Sequence, residues 1–231
     1  MLLTCLSSES AGNGYILQAD TDTLLIECGV RLQVVKQALD YNMSNVVGCL
    51  ISHSHGDHFK YHKDYAKAGI TLYGNEDCMR QYDGHRGNIM TPNAMYRIGD
   101  FRVVPFHVPH GVKCFGFFIK HPEIGSLVFI TDAAYVPNKF VGLNHIMVEC
   151  NYSDEAMVSD RAVGHHMSLS TTMQFLKAND LSHTYNIILL HLSAGSSDAK
   201  QFIKSVQSIA PNANVMVADK DLKVQLINNP F

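Results

Sequence analysis

Short apolar or alternating runs recur along the 231-residue chain, and each reads as a strand. They are Leu2–Leu6, Tyr15–Ala19, Thr23–Glu27, Val46–Ser52, Phe101–Phe106, Cys114–Lys120, Leu127–Thr131, His145–Glu149, Tyr185–Leu190 and Asn214–Val217. Three stretches instead repeat their apolar positions every three or four residues, as one face of a helix does. Val30–Leu39 carries Leu32, Val35 and Leu39, and Leu169–Ala178 carries Leu169, Met173 and Leu176. Ser197–Ala210 carries Phe202, Val206 and Ile209 and stops at Pro211. Ser197, followed by Asp198, is the predicted N-cap of that helix. Ser7 to Gly14 reads as a hairpin loop, because its glycines tolerate positive φ and its hydroxyls can bond the backbone.

The first half is strand-rich with hairpin turns, and the second alternates strand and helix. Two packed sheets with helices outside them accommodate both patterns in one core. Neither a repeat nor a charged linker divides the chain, so residues 1–231 read as a single domain. At 46% hydrophobic and 17% charged, the composition supports a real core and excludes a disordered chain.

Eighteen Lys and Arg against 21 Asp and Glu give a net charge of −3, so no overall basic field gathers nucleic acid. The six cysteines form no C-x-x-C pair and sit in or beside apolar runs, as buried free thiols in a reducing compartment do. The sequence has no apolar run of about 18 residues and no basic, apolar leader at Met1–Leu6. No membrane association is expected, and the expected location is cytoplasmic. Thirteen histidines, several of them clustered, change the picture.

Directly after an apolar strand comes Ile51-Ser52-His53-Ser54-His55-Gly56-Asp57-His58. In an extended segment residues i and i+2 point the same way, so His53 and His55 can bind one cation from one side. Gly56 is expected to let the chain turn sharply and swing Asp57 and His58 toward a second cation. Imidazole nitrogens with a carboxylate suit zinc, manganese or iron. Further ligands are expected where apolar strands end in ligand-type side chains: His110, Asp132 and His191. His107 competes with His110 for its place.

The H-x-H-x-D-H run at His53–His58, followed by a histidine, a strand-end aspartate and a final histidine, resembles the metallo-β-lactamase superfamily over essentially the whole chain. More narrowly, the chain is similar to a small single-domain branch of bacteria and their phages whose members are labelled exonucleases. Ser8-x-x-x-Gly12-Asn13-Gly14-Tyr15, Ile26-Glu27-Cys28-Gly29, Val148 to Tyr152, His166-Met167-Ser168-Leu169 and Leu190-His191-Leu192-Ser193 carry that likeness. The resemblance implies an α/β fold, a four-layer αβ/βα sandwich with a dinuclear site on one edge. It implies His53, His55 and His110 on the first metal, Asp57, His58 and His191 on the second, and Asp132 bridging. Many members have Asp-x-Gly where this chain has Glu27-x-Gly29, a change beside the site.

Two divalent cations, Zn2+ first and Mn2+ second, can bring a bridging water to hydroxide near neutral pH, with Asp57 and Asp132 orienting it. His166, matching the branch's His-x-Ser-Leu, is the candidate general acid, and His165 beside it is the alternative. The expected activity is therefore a metal-dependent phosphodiesterase or nuclease with that hydroxide as nucleophile. A small or cyclic nucleotide is the alternative substrate, and a thioester or carboxylic ester the alternative bond. Arg161, Lys113 and Tyr152 are candidate phosphate contacts. Lys60, Lys63 and Lys67 read as a solvated helix face, although Lys60, Lys63, Arg86, Arg97 and Arg161 could be gathered by folding into a basic stripe.

Overall fold

The computed structural model describes residues 1–82, 84–157 and 160–228, with residues 160–162 by backbone only. The first half contributes strands β1 (Leu2–Glu9), β2 (Gly12–Gln18), β3 (Thr23–Ile26), β4 (Val46–Leu50), β5 (Leu72–Gly74) and β6 (Gly87–Ile89). Helices α1 (Leu32–Ala38), α2 (Gly56–Phe59), α3 (His62–Lys67) and α4 (Glu76–Tyr82) lie between them. The second half contributes β7 (Tyr96–Ile98), β8 (Phe101–Val108), β9 (Cys114–His121), β10 (Gly125–Ile130), β11 (His145–Glu149), β12 (Asn186–Leu190) and β13 (Asn214–Val217). Helices α5 (Asp160–His165), α6 (Leu169–Lys177) and α7 (Ala199–Ile209) accompany these, and β14 (Lys223–Gln225) returns to pair with β1.

These strands form two seven-stranded sheets, ordered β14-β1-β2-β3-β4-β5-β6 and β13-β12-β11-β10-β9-β8-β7. Each sheet joins a hairpin part to a parallel part. β1, β2 and β3 are antiparallel and β3 to β6 parallel; β7 to β10 are antiparallel and β10 to β13 parallel. Parallel neighbours need a crossover, which explains why the helices sit in those parts of the chain.

Alternation along the strands separates three apolar clusters. Leu3, Tyr15, Leu17, Phe101, Phe117 and Phe129 pack between the sheets. Val128, Ile146, Leu176, Phe202 and Val206 pack under α6 and α7, and Cys28, Val35, Tyr65 and Leu72 under α1 and α3. The layers are therefore helix, sheet, sheet, helix, the expected four-layer αβ/βα sandwich. All six cysteines are buried and free, as expected.

Every apolar run read as a strand forms one. β5, β6, β7 and β14 were not foreseen because three residues are too few to show a period. The cap of α7 is Asp198, whose side chain accepts from the Lys200 and Gln201 N–H groups at 3.0 and 3.1 Å. Ser197 instead donates to the Ser193 carbonyl at 2.8 Å. A carboxylate answers the free N–H groups and the positive helix end better than a hydroxyl. The stretch read as a loop from Ser7 to Gly14 is nearly all strand, with only Ser10 and Ala11 between β1 and β2.

Candidate metal centre

The C-terminal ends of β3, β4, β8, β10, β11 and β12 deliver side chains to one rim of the sandwich. Past β4, His53 is fully buried and its Nε2 lies 3.0 Å from His55 Nδ1, the same-side pairing expected of alternate residues. The turn that follows is not made by Gly56. His55 holds the extended conformation (φ −64°, ψ 149°), and Gly56 is already helical, with space for a Cβ that would meet nothing within 4 Å. The short α2 then presents Asp57 and His58.

Two groups of ligand atoms result: His53, His55, His110 and Asp132, and Asp57, His58, Asp132 and His191. Asp132 belongs to both. Its Oδ2 lies 3.6 Å from His53 Nε2 and 3.8 Å from His110 Nε2, while Oδ1 lies 3.4 Å from His58 Nε2. One carboxylate thus turns an oxygen to each group.

The donors fit cations. His110 Nδ1 donates to the His165 carbonyl at 3.0 Å, so its Nε2 presents a lone pair, 3.1 Å from His55 Nδ1. His55 Nδ1 carries at most one hydrogen and faces two ring nitrogens. Converging lone pairs of this kind call for a positive charge. The spacings bracket the roughly 3.3 Å ligand–ligand edge of a tetrahedral ion with bonds of about 2.0–2.1 Å. In the second group His191 Nε2 is buried without a hydrogen-bond partner among the described residues and lies 3.7 Å from Asp57 Oδ2.

Charge points the same way. Burial lowers the pKa of His53 and His110, keeping them neutral and able to ligate. Burial would raise the Asp57 and Asp132 carboxyls, but His58 and His191 outweigh it and hold both below the ordinary range. In return, against burial, the carboxylates hold His58 well above its usual pKa and raise His191 to about 10. Protons on two histidines stand in for the positive charge this cluster requires.

A family model described as the beta-lactamase superfamily domain matches residues 22–192. The chain belongs to the metallo-β-lactamase superfamily. It is 29% identical over 168 residues to exodeoxyribonuclease YycJ of Bacillus anthracis, a match covering 66% of this chain and 63% of that protein. Among solved structures, the metallo-β-lactamase fold protein YhfI of Bacillus subtilis superposes with a TM-score of 0.80 at 18% identity, covering 96% of this chain and 98% of that one. The short form of human tRNase Z does so with a TM-score of 0.71 at 16% identity, over 98% and 99%.

In this superfamily member the site also recruits Glu149, Asn13 and Asn151, which sequence reasoning left without a role, and Glu27, expected from the resemblance to lie beside the site. Glu149, fully buried at the end of β11, accepts from the Ala133 and Met167 N–H groups through Oε2 and lies 2.7 Å from His166 Nδ1 and 3.2 Å from His191 Nδ1 through Oε1. Glu27, buried at the end of β3, lies 3.5 Å from His58 Nδ1 and accepts from the Ser52 N–H. Asn13 reaches Asp57 Oδ2 at 3.3 Å and His58 Nε2 at 3.1 Å, and Asn151 donates to the His191 carbonyl at 2.7 Å. Carboxylates and amides behind ligating histidines fix ring orientation. The signal available was position: Glu27 and Glu149 are, like Asp132, acids at the ends of buried strands.

Between the paired alternatives the structure is specific. His107 packs edge-on against Phe115, while His110 enters the cluster. His166 stands with Asp132, Glu149 and His191, whereas His165 contributes its carbonyl to His110. Lys113 faces Glu76 and Asp77 at 3.8 and 3.9 Å, Tyr152 is buried, and the Arg161 side chain lies outside the described residues. Lys60, Lys63 and Lys67 are exposed, the solvated face expected of them.

Proposed function

We propose that the protein is a dinuclear metal-dependent phosphodiesterase acting on nucleic acid. The observation that carries this reading is the pair of ligand groups sharing Asp132, flanked by a His166–Glu149 pair. His53, His55 and His110 would hold a first ion and Asp57, His58 and His191 a second, with Asp132 within reach of both; the nitrogen-rich donor set favours zinc, with manganese second. Such a pair of ions supplies a deprotonated water at neutral pH and positive charge for a phosphoryl oxygen.

The chain's own residues supply the rest. Asp57 and Asp132, carboxylates whose ordinary pKa lies far below neutral pH, would orient the attacking oxygen. Burial lowers the pKa of His166, but its hydrogen bond to Glu149 overrides this and raises it. With Nδ1 donating to Glu149, the proton at Nε2 is available to the departing oxygen. His166 is part-exposed, at 22%, as a group that meets a substrate must be. The named activity of the YycJ relative favours a DNA strand over a cyclic nucleotide or a thioester.

The test is hydrolysis of bis(p-nitrophenyl) phosphate by protein stripped with chelator and reloaded with zinc or manganese. Turnover should depend on metal and vanish in Asp57→Ala and His58→Ala proteins that stay folded. Full activity in both variants, or turnover of a thioester alone, defeats the reading.

A further inference from the structure

At the end of the second sheet remote from the metal rim, three cations stand in one row. Arg97 on β7 is in register with Arg102 on β8, and Arg102 with Lys120 on β9. All three are exposed. At about 4.8 Å between strands the row is roughly 10 Å long, more than one phosphate group spans. Like charges directly opposite one another destabilise a sheet, and an anion bound across the row would relieve that repulsion. Asp100, 3.4 Å from Arg97, offsets one of the three.

The row borders a cavity of about 340 Å³ that His121 also lines. His121 is only 6% exposed. Its Nδ1 accepts from the Glu123 N–H at 3.2 Å, so the ring hydrogen sits on Nε2, a buried donor with no acceptor among the described residues. Unpaired buried donors are costly, and an acceptor in the cavity would satisfy this one.

Toward the metal rim, Phe118 lies two residues from Lys120 on β9 and so shares its face. Lys120 Nζ lies 5.5 Å from the centroid of Phe118, but that half-buried ring stacks with Phe140 at 5.8 Å and packs on the core beneath α6 and α7; Tyr135, three residues past Asp132, is 54% exposed. An exposed ring such as Tyr135, lying beyond a row of cations, is a platform on which an unpaired base can stack, as on the surfaces that single strands track. From Arg102 to Val108, beside His110, β8 runs about 20 Å at ~3.3 Å per residue, or roughly six stacked nucleotides at 3.4 Å each.

We propose that Arg97, Arg102, Lys120 and His121 form a phosphate anchor for a single-stranded nucleic acid, about six nucleotides from the metal centre. The anchor rests on the nuclease reading and deepens it by naming a polymeric, single-stranded substrate.

The test compares the metal-loaded protein with its Arg97→Gln/Arg102→Gln/Lys120→Gln variant, altered only at exposed positions. Fluorescence anisotropy reads the binding of phosphorothioate single strands of twelve and four nucleotides. The variant should bind the 12-mer at least tenfold more weakly and the 4-mer unchanged. Its slope of log affinity against log salt should be shallower by about 2, from roughly 0.7 per lost contact. Hydrolysis of bis(p-nitrophenyl) phosphate should not change. Unaltered 12-mer binding overturns the anchor, and so does an equal loss for the 4-mer, which would make the row part of a general field. A length-dependent loss in a protein that hydrolyses no phosphodiester upholds the anchor and defeats the nuclease reading alone.

Discussion

Gly29 offers the sharpest test of how the second metal group is held. It follows β3 and lies against α2: the Gly29 N–H donates to the Asn13 carbonyl at 3.0 Å, and the Cys28 N–H to the His58 carbonyl at 2.8 Å. A Cβ at Gly29 would sit 1.6 Å from the Asp57 carbonyl oxygen. Ordinary contact begins near 3.4 Å, so Gly29→Ala must push that backbone away by about 3.4 − 1.6 = 1.8 Å. Gly29 has no left-handed φ, so the contact alone is at stake. Ligand positions tolerate about 0.5 Å. Asp57 and His58, on α2, therefore leave the second group, while His53 and His55 precede α2 at the exit of β4 and His110 follows β8, so the first group is displaced less. The expected outcome is one bound metal in place of two, an at least ~100-fold loss of kcat/KM and an overpacking cost of about 1–3 kcal/mol. Metal analysis of dialysed protein, turnover of bis(p-nitrophenyl) phosphate and urea unfolding measure the three. Gly56→Ala, in the same loop but facing open space, is the control and should be neutral or slightly stabilising. Two metals and near-normal turnover in Gly29→Ala would refute the reasoning.

Three further outcomes follow from the charge arrangement. In the metal-free protein His58 and His191 hold protons at neutral pH and must lose them to ligate, so metal loading should release about two protons, read by calorimetry in buffers of different ionisation heat; no release would contradict the assignment. Glu149→Gln should cost about 10–100-fold in kcat and move the basic limb of the pH–rate profile downward, because Glu149 opposes burial in holding the His166 proton; an unshifted limb would remove Glu149 from that role. His145, buried between Asn186 and the Ile227 carbonyl, has its pKa pushed down to about 4 by burial. The unfolded chain takes up that proton near pH 6.5 and the folded chain only near 4, so stability falls with pH across that window, by about 2 kcal/mol from pH 7 to pH 5. In His145→Gln this part of the slope, followed by urea unfolding, should vanish.

The ligands were legible because each is a metal-binding side chain at the end of an apolar run, where a two-residue spacing or a strand end fixes its direction. His53 and His55 are the clearest case. What stands behind them was legible only at Glu27, through the Glu27-x-Gly29 resemblance, since burial and register, not residue type, give Glu149 and Asn13 their roles. Asn13 lies in a stretch that reads as an ordinary hairpin loop, and only the pairing of β1 with β2 brings its amide to Asp57 and His58. The same holds for the cation row: Arg97 and Lys120 are 23 positions apart, and only the β7–β8–β9 register aligns them. Of these strands only β7, three residues long, carries too little pattern to be seen; the others are visible, but their pairing is not.

The backbone at the rim shows why residue type alone misleads there. Glu27, Asp132 and His191 close β3, β10 and β12 with φ of 64°, 47° and 54°, in the left-handed region that favours glycine. Asp and His enter that region more often than most L-residues and Glu does not, but glycine would be the relaxed choice at all three. Side-chain L-residues cost about 1–2 kcal/mol each in that region, and they persist only where their surroundings fix them. Here those fixings are visible: the Glu27 N–H donates to the Leu50 carbonyl at 2.8 Å, Thr131 Oγ1 donates to Asp132 Oδ1 at 3.0 Å, and the His191 N–H donates to Ser8 Oγ at 2.9 Å. The left-handed turn ends the strand abruptly and throws the side chain across the rim instead of along the sheet. Glycine would relieve the backbone and remove the carboxylate or imidazole that the site requires. Left-handed backbone is not confined to the rim, since Asp40, Tyr41, Asn93 and Asp221 adopt it in turns; what sets Glu27, Asp132 and His191 apart is that their side chains carry the chemistry of the site, so function and not the turn keeps an L-residue there.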